Sequence, residues 1–152
     1  MHVWVDADAC PGPIKDILYR AAARRGVRVT LVANRFLRLP KIAELELRVV
    51  PKGLDGADKA ILEQVRPGDL VITADIPFAA AAIEAGTLAL EPRGLLHTAE
   101  TIRSRLSVRD FLDTLRGSGI ATGGPAMLDS GDRKRFADQL DRLLTAAGNE
   151  PG

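Results

Sequence analysis

The chain has 152 residues, a formal net charge of +1, and 46% hydrophobic against 27% charged residues. Those values fit one ordinary globular domain and argue against a protein whose overall charge makes it a polyanion binder. One cysteine, Cys10, excludes an internal disulfide framework and a multi-cysteine zinc site, and no apolar run approaches the roughly 20 residues that span a bilayer.

Aromatic residues make up only 4%, so the core must come from Leu, Val, Ile and Ala. The opening residues, Met1-His2-Val3-Trp4-Val5-Asp6, lack the basic-then-apolar pattern of a signal peptide, and the expected location is the cytoplasm. The expected organisation is one domain over 1–147 with a flexible tail at 148–152.

Val3 to Val5 reads as a buried strand ending at Asp6. After the break at Pro11-Gly12-Pro13, Ile14, Ile17, Leu18, Ala21 and Ala22 recur at helical spacing, with Gly26 placed to cap the helix. Val27 to Ala33 is a second strand, followed by a basic loop over Asn34 to Pro40. Leu45 to Val50 is a third strand, and Gly53-Leu54-Asp55-Gly56 signals a turn. A helix is expected over Ala57 to Val65, a fourth strand around Leu70-Val71-Ile72, an Ala-rich helix over Ile76 to Ala85, and a short fifth strand over Thr87 to Leu90. Further helices are expected over Thr98 to Leu106, Val108 to Arg116 and Gly131 to Ala146, the last with Phe136, Leu140, Leu143 and Leu144 on one face. The Gly-rich stretch Gly117 to Pro125 should be a loop.

Strands and helices alternating at this spacing predict a three-layer α/β/α fold around a mainly parallel sheet. Such sheets bind ligands at the carboxyl ends of their strands, near the reversal in strand order. Two strands run into acid at that edge, Val3-Trp4-Val5 into Asp6-Ala7-Asp8 and Val71-Ile72-Thr73 into Ala74-Asp75, while Asp58 opens the helix after the third strand. Carboxylates brought together repel one another unless a cation sits between them. Mg²⁺ needs only a few carboxylates and a phosphate to complete its oxygen shell, and such a metal activates water for attack on a phosphodiester. Each acid also has a local explanation. Asp6 and Asp8 suit a turn or cap, Asp58 suits a first helical turn, and Asp75 before Ile76-Pro77 suits an N-cap.

Six blocks carry a family resemblance: Asp6-Ala7-Asp8-Ala9-Cys10-Pro11, Gly53-Leu54-Asp55-Gly56-Ala57-Asp58, Ile72-Thr73-Ala74-Asp75-Ile76-Pro77-Phe78-Ala79, Pro92-Arg93-Gly94, Arg109-Asp110-Phe111-Leu112-Asp113-Thr114-Leu115-Arg116 and Thr122-Gly123-Gly124-Pro125. Together they resemble the signature of the bacterial YaiI/YqxD family of uncharacterised proteins, from about Val3 to Leu144. The resemblance implies a PIN-like fold, a class in which many members are Mg²⁺- or Mn²⁺-dependent ribonucleases. It implies Asp6 as the first-strand acid, Thr73 and Asp75 as a Thr-x-Asp turn, and Asp58 as the helix acid, so that Asp6, Asp58 and Asp75 would hold Mg²⁺ or Mn²⁺ and RNA would be the partner. Many PIN-like nucleases carry another acid two or three positions after the Thr-x-Asp turn. This chain has Pro77 and Phe78 there, which leaves Asp8 as the auxiliary ligand or base. Within the family, Lys59 and Glu91 stand where Asn is common.

Other patterns carry less. Asp6-Ala7-Asp8 also matches the first motif of haloacid-dehalogenase phosphatases, but no Gly-Asp-x-x-x-Asp pair follows. Cys10 fits a small buried residue better than a nucleophile. Arg93, after the fifth strand, suits a substrate phosphate or an ion pair with a strand-end aspartate, and Asn34 and Arg35 are weaker phosphate-binding candidates. Arg103, Arg105, Arg109, Arg116 and Arg133-Lys134-Arg135 fit solvated helix faces. The Gly-rich stretch has no Gly-Lys-Ser/Thr ending and is no P-loop. Two functions therefore stand at this point: a metal-dependent nuclease acting on RNA, and a non-catalytic domain that keeps an acidic pocket for a metal, a nucleotide or a protein.

Overall fold

Strand β1 (His2–Asp6) lies in the middle of a six-stranded sheet. The structure, a computed structural model, describes residues 1–52, 56–107 and 128–148. The other strands are β2 (Arg28–Ala33), β3 (Leu45–Val49), β4 (Leu70–Ile72), β5 (Leu88–Leu90) and β6 (Leu96–His97), in the order β3-β2-β1-β4-β5-β6. The first five are parallel and β6 runs antiparallel to β5. The order builds outward from β1 in one direction through β2 and β3, and in the other through β4 and β5. The reversal therefore falls between β1 and β4, and parallel sheets place their ligands at the carboxyl edge beside such a reversal.

Side chains alternate along a strand, so each strand divides its residues between two layers. Val3, Val5, Val29, Leu31, Leu70 and Ile72 pack with Ile14 and Leu18 of α1 (Gly12–Arg25) and with Phe136, Leu140 and Leu144 of α5 (Ser130–Ala146). Trp4, Val32 and Val71 point the other way, onto Ile61 of α2 (Gly56–Leu62) and Phe78 and Ala82 of α3 (Ile76–Glu84). Ala79, Ala89 and Ile102 join α3 and β5 to α4 (99–107). The expected three-layer α/β/α architecture is what the chain adopts.

Local signals set most boundaries. Gly26 takes φ 67° and its N–H bonds Ala22 O, closing α1 in the left-handed conformation that glycine adopts without strain. Pro lies in the first turn of both α1 and α3, where its missing N–H costs nothing. Asp129 caps α5, accepting from the Asp132 N–H at 2.7 Å while Asp132 accepts from the Asp129 N–H at 3.1 Å. β6 was not legible in the sequence: it is two residues long and shows no alternation, and only pairing with β5 makes it a strand. The helix expected over Val108–Arg116, the loop over Gly117–Pro125, most of the turn at Gly53–Gly56 and the tail beyond Gly148 lie outside the described residues.

One polar contact and one close backbone approach hold neighbouring segments in place. At the amino edge, nearly buried Asp69 accepts from the His2 backbone N–H at 3.1 Å, the Trp4 indole N–H at 3.2 Å and the Arg66 N–H at 3.0 Å. One carboxylate thus ties the start of β1 to the approach to β4. At the other end of the core, the turn between β5 and β6 presses on α5. Gly94 has φ 89°, and a Cβ there would sit 2.6 Å from the Arg135 carbonyl carbon and 2.6 Å from the Phe136 nitrogen. Only glycine allows that approach.

Two stability tests follow. Gly94→Ala combines a positive φ with a backbone clash and should cost about 3 kcal/mol or more, read in thermal unfolding as a drop of roughly 10 °C. Asp69→Ala leaves three buried or half-buried donors unpaired and should cost about 2–4 kcal/mol in urea unfolding, with Asp69→Asn losing less because its carbonyl oxygen still accepts.

Candidate functional site

Asp6 is the last residue of β1 and shares the face of Trp4, so its carboxyl lies on the side of α2 and α3. It precedes a short 3-10 turn at Ala7–Ala9 but makes no capping bond to it. Its hydrogen-bond donor is Thr73, whose hydroxyl gives to Asp6 Oδ2 at 3.1 Å across the reversal between β1 and β4. Thr73 is buried, and its own backbone N–H bonds Leu90 O at 3.2 Å, which extends the β4–β5 ladder by one residue. The same hydroxyl accepts from the Asp75 N–H at 3.0 Å. One threonine therefore fixes Asp6 and the turn that carries Asp75.

Asp75 caps α3, its Oδ1 accepting from the Phe78 N–H at 3.1 Å. Asp8 Oδ2 accepts from the Asn34 N–H at 2.7 Å, which pins the chain leaving β2 to the turn leaving β1. Burial raises the Asp6 carboxyl above the ordinary carboxylate range; the Thr73 hydroxyl opposes that shift, and the charges of Asp75 and Asp8 add to it. Asp6, Asp8 and Asp75 thus form one electrostatic group. Each uses one oxygen locally, and among the described residues the other oxygen takes no hydrogen bond from the protein.

Asp58 reaches the edge from the far side. It lies in the first turn of α2, and with Lys59, Glu63, Leu62, Asp75 and Pro77 it lines an open hollow of about 640 Å³ between α2 and α3. Asp75 neighbours both Asp6 and the hollow that Asp58 lines, but the structure does not bring Asp6, Asp58 and Asp75 together as one ligand set. Among the described residues, no three His, Cys, Asp or Glu side chains stand close enough to hold a metal ion between them. The cap reading holds for Asp75 and suits the position of Asp58, while Asp6 has no local task.

Arg93 is placed otherwise than its two expected roles. Its guanidinium bonds Asp132 Oδ2 at 3.0 Å, at the start of α5, instead of a strand-end aspartate. Asp132 also takes Arg135, and the Asp129 N–H, together with Arg135 and Arg93, holds its carboxyl below the usual range. Reasoning from sequence did not single out Asp132, although Asp129-x-x-Asp132 before an amphipathic run is a readable capping signal. Asn34 contributes its backbone N–H to the edge, and Arg35 follows it, exposed. Cys10 is buried in the core, and burial pushes its thiol up to about 12, which leaves it un-ionised at neutral pH, as expected of a packing residue.

The sequence model of the group described as uncharacterised BCR, YaiI/YqxD family, matches residues 4–146. The chain belongs to the YaiI/YqxD family. Curated relatives of this YaiI/YqxD chain carry the name UPF0178 protein. Those of Syntrophotalea carbinolica and Hydrogenovibrio crunogenus are each 57% identical over 145 residues, covering 95% of this chain and 98% and 96% of their own. That of Halorhodospira halophila is 58% identical over 144 residues, covering 95% of each. Among solved structures, a mutant of Rae1 (YacP) from Bacillus subtilis is similar at 22% identity and a TM-score of 0.42, covering 97% of this chain and 99% of that one.

The two shifted carboxyls give opposite pH signatures. The raised Asp6 contributes stability that is full below its unfolded value and is lost as pH rises through its folded value. Asp6→Asn, whose amide oxygen still accepts from Thr73, should therefore be more stable than the parent at pH 7 in chelator and not at pH 3. Asp132, held low, contributes stability that is present at neutral pH and lost as pH falls through its folded value. Asp132→Asn should lose stability at pH 7 and little at pH 2. Urea titrations across pH read both.

Proposed function

We propose that this protein is a divalent-metal-dependent nuclease that hydrolyses RNA phosphodiester bonds at the carboxyl edge of β1 and β4. The observation that carries the reading is Asp6. It is a mostly buried acid with no capping task, crowded by the charges of Asp8 and Asp75, at the reversal in strand order beside which parallel sheets place their ligands. Burying an acid among acids costs stability unless a cation completes the site.

The donor set suits Mg²⁺ or Mn²⁺ bound with substrate. Mg²⁺ is commonly held by one or two carboxylates plus waters and substrate phosphates, so a closed cage of three carboxylates is not required. Asp6 and Asp75 would hold the ion through their unused oxygens, with Asp58 across the hollow as the further ligand. When bound, it would polarise the phosphoryl oxygen and lower the pKa of water. Thr73 orients Asp6 and the Asp75 turn, Asp8 stands beside Asp6 as a base, and Asn34 and Arg35 lie at the rim where a phosphate would enter. Arg93 acts on α5 and has no part in this step.

A second reading has its own support. Pro77 and Phe78 stand where a further acid would be, and the described carboxylates do not close on one another. These features favour a non-catalytic domain whose acidic pocket binds a metal, a nucleotide or a protein. Labelled single-stranded RNA incubated with Mn²⁺ separates the two. The nuclease reading expects cleavage that chelator stops, that Asp6→Asn and Asp75→Asn each lower by about 100-fold or more, and that Thr73→Val lowers by about tenfold. Mn²⁺ at 100 times its dissociation constant should add about 2.7 kcal/mol to the stability of the parent and far less to that of Asp6→Asn. Stabilisation by metal with no cleavage of any RNA would establish the second reading.

A further inference from the structure

The connection from β2 to β3 crosses from the carboxyl edge of the sheet back to the amino edge without a helix, over residues 34–44. Its side chains divide cleanly. Leu37, Leu39 and Ile42 pack against the core, which holds the segment in place. Arg35, Phe36, Arg38 and Lys41 point to solvent. Phe36 is 77% exposed, the most exposed of the large hydrophobic side chains among the described residues. No acid occurs from Asn34 to Ala43, and among the described residues none of the three cations makes a salt bridge. The segment starts at the acid edge itself, where the Asn34 N–H bonds Asp8.

We propose that Arg35, Phe36 and Arg38 form a docking platform for single-stranded RNA, which stacks a base on the Phe36 ring and lays its backbone along the two guanidiniums, with Lys41 further along the same strip. This deepens the nuclease reading and rests on it for the choice of RNA. The chemistry is that of single-strand binding sites in general: an aromatic face for bases of any sequence, and cations that follow the phosphates. The chain has little net charge with which to attract a polyanion, so a local basic strip must do so. The strip also answers an electrostatic difficulty of the site, since Asp6, Asp8 and Asp75 repel a phosphate backbone until cations beside them offset that field.

The test is fluorescence anisotropy of a labelled 12-nucleotide single-stranded RNA with the full chain in chelator, where metal-dependent cleavage is off. Phe36→Ala should bind about tenfold more weakly with an unchanged Tm, and Phe36→Trp should bind as well as the parent or better. Arg35→Ala with Arg38→Ala should weaken binding and flatten its log–log salt dependence by about 0.7 for each phosphate that the variant no longer neutralises. A duplex of the same sequence, whose bases cannot stack on the ring, should bind more weakly than the single strand. Equal affinity of Phe36→Ala and parent, absence of binding by the parent, or equal binding of duplex and single strand each overturns the platform. Phe36-dependent binding with no cleavage under any metal upholds the platform and removes the nuclease. Cleavage with KM and kcat unchanged in Phe36→Ala does the reverse.

Discussion

The hydroxyl of Thr73 bridges the two strands between which the sheet reverses its order. It gives a hydrogen bond to Asp6 at the end of β1 and takes one from the Asp75 N–H just past β4. The placing of Asp6 beside the Asp75 turn depends on that bridge. β1 and β4 are separated by more than sixty residues, and only their parallel pairing sets Asp6 beside the Thr-x-Asp turn. The backbone of Thr73 is in turn bound to Leu90, so the hydroxyl is carried by the ladder itself and not by a loose loop. A site placed on strands in this way keeps its geometry more faithfully than one placed on loops.

The acids around the bridge differ in what the fold already asks of them. Asp75 holds the first turn of α3, and Asp8 holds the chain leaving β2. Both would remain explicable in a protein with no ligand. Asp6 is less fully accounted for. It is mostly buried, its carboxyl is pushed up by that burial and by two neighbouring charges, and among the described residues its donor is the neutral Thr73 hydroxyl. A carboxyl pushed up by burial and by like charges is a feature that concentrates at functional sites and that structural charge networks also produce. Asp69 at the opposite edge is the contrasting case, because that carboxylate has three N–H donors and a structural task that explains all of it.

The turn between β5 and β6 ties the carboxyl edge to α5. α5 packs Phe136, Leu140 and Leu144 into the core, its first turn receives Arg93, and its second turn receives the close approach of Gly94. The Pro92-Arg93-Gly94 block is thereby accounted for by packing: the arginine satisfies a buried carboxylate and the glycine admits a helix backbone. With Arg93 committed to α5, the segment after β2 is the one part of the described carboxyl edge that carries both exposed cations and an exposed ring.

The alternation of apolar runs and helical spacings was sufficient to determine the layers of this protein, because burial on both faces of a parallel strand leaves an unbroken run such as Val3-Trp4-Val5, and a helix on a sheet needs one apolar stripe. Gly26, the prolines of α1 and α3, and the cap at Asp75 were legible for the same reason: each acts within a few residues. Which acids meet was not legible. Asp6 and Asp75 join through strand pairing, while Asp58 stands across a hollow and Arg93 turns to Asp132, and each of those outcomes depends on contacts between residues tens of positions apart. β6, the bond from Trp4 to Asp69, and the exposure of Phe36 were hidden likewise, since a side chain's surroundings are set by packing between distant segments and no local pattern encodes them.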